Sequence, residues 1–310
     1  MTSLPTQYEI RNRLTLGSRT SALAIWQSRH VLAALQAAWP GLECVIVPFV
    51  TQGDRTLERP LPEIGGKGLF TLELENGLRD GRIDLAVHSL KDLPVDDAPG
   101  LTLGALVGRA DVRDVLVAKA GMTLADLPPG ALLGTSSLRR QAQLLAVRPD
   151  LTIRSIRGNV ETRIHKALHG EYDATVLAGA GLTRLGLDAQ ISQWLPLAVM
   201  LPAPGQGSLA AQCRADDEET RGLLAAIHNE EVAQAVNAER IFLSGLGGGC
   251  SLPVGAYATV SGGTIHLTGL VAAIDGSRSI RVEGSGPSAQ ELGARLAEEA
   301  KSQGALELIG

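Results

Sequence analysis

Residues 13–50 read RLTLGSRTSALAIWQSRHVLAALQAAWPGLECVIVPFV, and their order decides the fold class. Arg13–Gly17 is strand-like. Ser21–Trp39 brings Leu23, Trp26, Leu32 and Leu35 round at roughly helical spacing. Thr20 or Ser21 can cap that helix, and Pro40-Gly41 ends it. Leu42–Val50 is strand-like again, so the stretch is a strand, a helix and a strand joined by short turns. The alternation continues with a helix over Leu69–Asp80 and a strand over Ile83–His88. It restarts with strands at Asp114–Ala118, Ala131–Gly134, Leu151–Ile156 and Asp173–Ala178, and with helices at Leu138–Val147 and Val160–Leu168. Such alternation predicts mostly parallel sheets with helices on their faces, here in two α/β units.

Leu201-Pro202-Ala203-Pro204-Gly205-Gln206-Gly207 is a turn-rich joint, followed by a strand over Ser208–Cys213 and helices over Glu218–Ile227 and Glu230–Leu243. Short strands at Val254–Thr259, Thr264–Ala272 and Ser279–Glu283, closed by a helix over Ser288–Ser302, predict a small antiparallel α+β unit. Two α/β units joined by crossing segments form a cleft, and ligands in open α/β sheets bind beyond the C-terminal ends of the strands.

At 310 residues the chain is long enough for two or three domains, and 45% hydrophobic content fills real cores. Aromatics are only 3%, so the cores rest on Leu, Ala, Val and Ile. A net charge of −5 argues against a general nucleic-acid binder. The cysteines Cys44, Cys213 and Cys250 are odd in number, widely spaced and without a C-x-x-C, which speaks against a disulfide framework or a zinc knuckle. Met1–Arg13 carries no apolar signal-like region and no apolar run reaches 18 residues, so the expectation is a cytoplasmic protein without a membrane span.

The candidate chemistry lies in loops that follow strands. Gly17-Ser18-Arg19-Thr20-Ser21 offers helix N–H groups and a forked cation to an anion, although it also suits an ordinary cap with a solvated arginine. Gly134-Thr135-Ser136-Ser137-Leu138-Arg139-Arg140 repeats the pattern with two arginines. Between Ser137 and Gly170 there are seven Lys or Arg against two acids, Asp150 and Glu161, and Arg157 and Arg163 belong to this patch. Arginine suits bidentate carboxylate recognition, and the absence of interleaved aromatics weakens an RNA reading. In His88-Ser89-Leu90-Lys91-Asp92-Leu93-Pro94, Pro94 disfavours helix at Leu93 and leaves Asp92 on a constrained loop. Asp92 could alternatively pair with Lys91 or cap a turn.

Gly247-Gly248-Gly249-Cys250 leaves room for a group to approach or attach at sulfur, whereas Cys44 and Cys213 lie in strand-like runs and suit small core hydrophobes. Gly65-Gly66-Lys67-Gly68 lacks the spacing and hydroxyl of a P-loop, Gly179-Ala180-Gly181 completes no dinucleotide fingerprint, and His165 and His169 form no zinc-protease motif, so no metal is expected.

Taken in order, Gly65-Gly66-Lys67-Gly68-Leu69-Phe70, His88–Pro94, Gly134–Gln141, Arg154–Arg163, Pro204–Gly207 and the glycine-cysteine loop resemble the porphobilinogen deaminase (hydroxymethylbilane synthase) family over nearly the whole chain. The resemblance implies two periplasmic-binding-protein-like α/β lobes plus a small C-terminal α+β domain with an antiparallel sheet. The expected divisions are residues 11–107 with 208–226, then 108–207, then 227–310. It implies a dipyrromethane cofactor held as a thioether on Cys250. On that primer four porphobilinogens are joined head to tail with loss of ammonia, and water frees hydroxymethylbilane. Asp92 matches the family's catalytic aspartate. Arg19, Arg139, Arg140, Arg157, Arg163 and Arg184 match its carboxylate-binding arginines. Ser21, Ser89, Lys91, Thr135 and Ser137 match its polar contacts, and Lys67 and Phe70 match residues of a cleft loop. A monomer with no nucleic-acid or membrane partner is implied. Gly247, Leu72 and Gln212 depart from the commonest pattern of the family, where an acid, a lysine and a glutamate are frequent. The main alternative is a two-lobed carboxylate- or anion-binding protein without catalysis, which explains the arginines but not the glycine-flanked Cys250.

Overall fold

Two five-stranded sheets built on one strand plan, and a third antiparallel sheet, organise the computed structural model, which describes residues 11–55, 69, 71–249 and 252–309. In the first lobe β1 (Arg13–Arg19), β2 (Glu43–Phe49), β3 (Leu85–Ser89), β4 (Leu101–Arg109) and β10 (Ser208–Arg214) lie in the order β2-β1-β3-β10-β4. β1 pairs in parallel with β2, from Arg13 opposite Glu43 to Arg19 opposite Phe49, and with β3, while β10 runs antiparallel between β3 and β4. Gly17 sits inside β1 because a Cβ there would come within 2.3 Å of Ile83 Cδ1. Ser21 caps α1 (Ala22–Ala38) by accepting from Ala24 N, which resolves the choice between Thr20 and Ser21. A short helical turn, α2 (Gln52–Arg55), follows β2, and α3 (Leu72–Arg79) precedes β3, a shorter helix than the span expected from Leu69.

In the second lobe β5 (Asp114–Ala118), β6 (Leu132–Gly134), β7 (Thr152–Arg154), β8 (Ala174–Ala178) and β9 (Gln193–Trp194) take the order β7-β6-β8-β5-β9. β6 is parallel to β7 and β8, and β5 is antiparallel to β8 and β9. Helices α4 (Leu138–Val147), α5 (Val160–Leu168) and α6 (Gly179–Arg184) complete it. Each lobe thus receives one antiparallel strand directly after the chain crosses into it: β5 on the way out, β10 on the way back. The two crossings run side by side, with Ala110 N donating to Gly207 O and Gln206 Nε2 to Val112 O.

After β10 come α7 (Glu218–Ala225) and α8 (Glu230–Gly245), then the antiparallel meander β11 (Val254–Ser261), β12 (Thr264–Ala272) and β13 (Ser279–Gly286), with α9 (Ala289–Ser302) and α10 (Ala305–Ile309). Phe242 of α8 is fully buried beneath this sheet, and a Cβ at Gly269 would fall 2.4 Å from its ring, so glycine admits the aromatic. The Leu-, Ala- and Val-rich cores expected from composition are what the interior contains. No described helix is long and apolar enough to cross a membrane.

Among the elements that escape the pattern reading are β4 and α6. β4 contains Gly104 and Gly108 and follows a proline-rich turn, which hides its strand character. Gly104 is there because a Cβ would meet Leu224 Cδ1 of α7 at 2.4 Å. α6 begins in Gly179-Ala180-Gly181, where Gly179 lets the Trp194 ring approach to 2.3 Å of an added Cβ. In both cases tertiary packing overrides local propensity.

Candidate active site

β3 ends at Ser89 and runs into a tight turn, Leu90–Asp92. Leu90 and Leu93 are buried on either side and Leu93 is extended, as Pro94 requires, so Lys91 and Asp92 are held on a rigid ledge with Asp92 exposed. Ser89 Oγ accepts from Gln27 Nε2 of α1 at 2.8 Å. Arg240 of α8 grips the carbonyls that follow, donating to Pro94 O at 2.7 Å and Val95 O at 3.0 Å.

From β1, Arg19 forks onto Asp54, with Nε to Oδ2 at 3.2 Å and a second, shorter contact from Nη2 to Oδ1. Burial alone would raise the Asp54 carboxyl, but hydrogen bonds from Arg19 and Thr51 hold it below the usual range. Asp54 was not anticipated from the sequence. Its local signal is Thr51-x-x-Asp54, in which the Thr51 hydroxyl donates to Asp54 at 2.7 Å.

In the second lobe the three hydroxyls after β6 divide their work. Thr135 Oγ1 accepts from Ser137 N, Ser136 ties to Ile156 O, and Ser137 caps α4 by accepting from Arg140 N. Arg139 and Arg140 are buried and converge on Asp114, the first residue of β5: Arg139 Nη2 lies 2.8 Å from Oδ2 and Arg140 Nη2 2.8 Å from Oδ1. Burial alone would raise Asp114, yet the two guanidinium groups drive it far below the carboxylate range. Their remaining arms donate to Leu201 O and Val176 O, while Arg140 Nε has no partner among the described residues.

Arg163, in the first turns of α5, donates to Gly158 O at 2.7 Å. Burial pushes its guanidinium down to about 10; Arg140, Arg157 and Arg19 push the same way, and Asp92 opposes them. Arg163 is thus within electrostatic reach of Arg19 and Asp92 from the first lobe and of Arg140 and Arg157 from the second. Arg184 lies at the joint, donating to Gly207 O at 2.7 Å with its guanidinium over the Trp26 ring at 5.6 Å. Burial pushes Arg184 down to about 10 as well.

Of the seven cations between Ser137 and Gly170, three are engaged elsewhere. Arg148 pairs with Asp150 and donates to Leu124 O, Arg154 stacks on Tyr172, and Lys166 pairs with Glu171. The focused patch therefore reduces to Arg139, Arg140, Arg157 and Arg163.

Lys67, Phe70 and Cys250 lie outside the described residues. Their neighbours are informative: Gly249 and Leu252, which bracket the Cys250-Ser251 pair, line one recess together with Lys91, Ser137 and Arg139. The rest of that lining is mainly apolar, with Arg240 as its remaining cation. Among the described residues no cluster of three or more His, Cys, Asp or Glu could hold a metal ion.

The family model described as porphobilinogen deaminase, dipyromethane cofactor binding domain, matches residues 14–222, and that of the porphobilinogen deaminase C-terminal domain matches residues 233–302. Porphobilinogen deaminase of Roseiflexus castenholzii is 50% identical over 302 residues, covering 97% of this chain and 99% of its own. The enzyme of the same name from Roseiflexus sp. strain RS-1 is likewise 50% identical, with the same coverage. Among solved structures, the periplasmic VFT2 domain of Bordetella pertussis BvgS aligns with a TM-score of 0.43 at 17% identity, over 74% of this chain and 94% of its own. The methionine binding protein MetQ aligns with a TM-score of 0.44 at 13% identity, over 72% of this chain and 93% of its own.

Proposed function

This chain belongs to the porphobilinogen deaminase family, and from that premise we propose that it joins four porphobilinogen molecules head to tail, releasing ammonia, to give hydroxymethylbilane, with Asp92 as the catalytic group and Cys250 as the attachment point of the dipyrromethane. The observation that carries this reading is the recess that unites Lys91, Ser137 and Arg139 with the immediate neighbours of Cys250. When bound, the dipyrromethane supplies the terminal pyrrole to which substrate units are added.

Everything else falls to the chain's own residues. Porphobilinogen carries an acetate and a propionate, so Arg19, Arg139, Arg140, Arg157, Arg163 and Arg184 hold carboxylates, with Lys91 as a further cation. Ser21, Ser89, Thr135 and Ser137 add hydroxyls at the ends of β1, β3 and β6. Lys67 and Phe70 cover the cleft. Loss of ammonia from porphobilinogen leaves positive charge on the pyrrole. Asp92, fixed on its ledge and facing the cleft, stabilises that charge through the pyrrole N–H and assists proton transfer, an electrostatic contribution of about 10²–10³ in rate. Division of the chain into 11–107 with 208–226, 108–207 and 227–310 is supported by a separate sheet in each part. A cytoplasmic monomer without nucleic-acid or membrane partners fits the unpatterned cysteines and the net charge of −5.

The test is the intact mass of the purified protein, followed by peptide mapping. An excess equal to two condensed porphobilinogen units on the Cys250 peptide, present at isolation or after incubation with porphobilinogen, is expected. A Cys250 that stays bare after incubation overturns the assignment.

A further inference from the structure

Gln206 is completely buried at the joint between the lobes. Its Nε2 donates to Val112 O at 2.7 Å and to Asp114 Oδ1 at 2.9 Å, and its Oε1 accepts from Lys91 Nζ at 3.3 Å. Asp114 in turn receives Arg139 and Arg140. One chain of polar contacts therefore starts beside Asp92 in the first lobe, passes through the joint, and ends on the arginine pair of the second. A side-chain amide accepts from an ammonium through its oxygen while donating to a carboxylate through its nitrogen. Buried polar groups in such a chain are costly to leave unpaired, so each member restricts the next.

We propose that Gln206 is a positioning residue of the reaction: through its amide the joint sets where Lys91 stands relative to Asp92 and to the Arg139–Arg140 pair, aligning the charged groups of both lobes. This rests on the reading of the cleft given above. Gln206 acts through Lys91 and Asp114 rather than on porphobilinogen itself. Lys91 faces Asp92 on its own turn, Asp114 from β5 and Arg139 and Arg140 from α4, and Arg240 from α8 lines the same recess. Burial brings the Lys91 ammonium down to about 8, so its charge changes close to neutral pH.

The experiment compares the cofactor-loaded wild type with Gln206→Glu and Gln206→Met, measuring kcat, KM and the pH dependence of kcat/KM, with primer loading checked by intact mass. In the wild type kcat/KM falls as pH rises through about 8, where Lys91 loses its proton. In Gln206→Glu one oxygen still accepts from Lys91 while the other faces Val112 O and Asp114 Oδ1, so the carboxyl keeps a proton there, Lys91 keeps its acceptor and the alkaline limb stays within about half a pH unit of the wild type. In Gln206→Met the acceptor is lost, the limb moves down, and kcat at neutral pH falls about tenfold while KM changes less than about threefold. A merely structural role would lower activity in both variants without moving the limb in Gln206→Met alone. A loaded Gln206→Met that keeps the wild-type limb, or a loaded Gln206→Glu whose limb moves down as far as that of Gln206→Met, overturns the proposal. If Gln206→Met does not fold, Gln206→Ala takes its place. A wild type that neither carries primer nor forms product overturns the active-site reading instead.

Discussion

Arg109 and Glu239 meet in a two-pronged ion pair, Nη1 to Oε1 at 2.8 Å and Nη2 to Oε2 at 3.1 Å, that binds the end of β4 to helix α8. Glu239 is completely buried and also accepts from Gly205 N and Ala258 N, each at 2.7 Å. One carboxylate thus fastens the first lobe, the interlobe joint and the third sheet. Removing it strands a buried guanidinium and two amide donors. Glu239→Ala should lose about 3–5 kcal/mol, read as a lowered Tm, with Glu239→Gln intermediate. A wild-type Tm in Glu239→Ala would show the pair to be dispensable.

Asp92 is exposed and makes no packing contribution, so Asp92→Ala should change stability by no more than about 0.5 kcal/mol. Turnover should nevertheless fall by at least about 10², because Asp92 is the group proposed to stabilise the positive charge formed on loss of ammonia. Product formation with the primer already loaded is the readout. Near-normal turnover would remove Asp92 from the mechanism.

His88 is buried on β3, and burial first, then Arg19, hold its imidazole down at about 4, against the opposing influence of the Gln212 side chain. The unfolded chain protonates this histidine near 6.5, well before the folded one does. The unfolded state therefore binds the extra proton first, and stability is lost as pH falls from about 6.5 towards 4. Urea denaturation at several pH values should show a shallower loss over that window in His88→Leu than in the wild type. An unchanged slope would mean that the acid sensitivity arises elsewhere.

Gly207 has φ of +88°, and a Cβ there would lie 2.5 Å from Ala110 O in the neighbouring crossing segment. Gly207→Ala adds left-handed strain and a backbone clash where the two crossings touch. A loss of about 1–3 kcal/mol is expected by denaturant melting. A neutral result would indicate that the joint can open at little cost.

Much of this architecture is legible in consecutive residues. Ser21 and Ser137 mark helix starts because a hydroxyl satisfies an N–H a few residues ahead, a contact made within the local chain. Pro94 makes Leu93 extended by steric exclusion between neighbours. The antiparallel meander of the third unit is readable for the same reason. β4 is not, since Gly104 and Gly108 weaken its pattern and the helix α7 that demands Gly104 lies more than a hundred residues further on. The pairings of Asp54, Asp114 and Gln206 are equally hidden: what an acid or amide binds shows only once its distant partners are in place.

The sequence by itself determined the α/β alternation, the arginine-rich and hydroxyl-rich strand ends, the constrained turn at Asp92 and the family. All of these reside in short runs whose periodicity and chemistry need no distant partner. Only the tertiary structure decided which cations share the cleft. Arg148 and Arg154 are drawn to other partners, Arg139 and Arg140 share Asp114, and Lys91 reaches Gln206 across 115 residues. The physical reason is that a charge takes its role from whatever stands within a few ångströms of it. In a chain that crosses between lobes twice, those neighbours are set by strand order rather than by sequence distance.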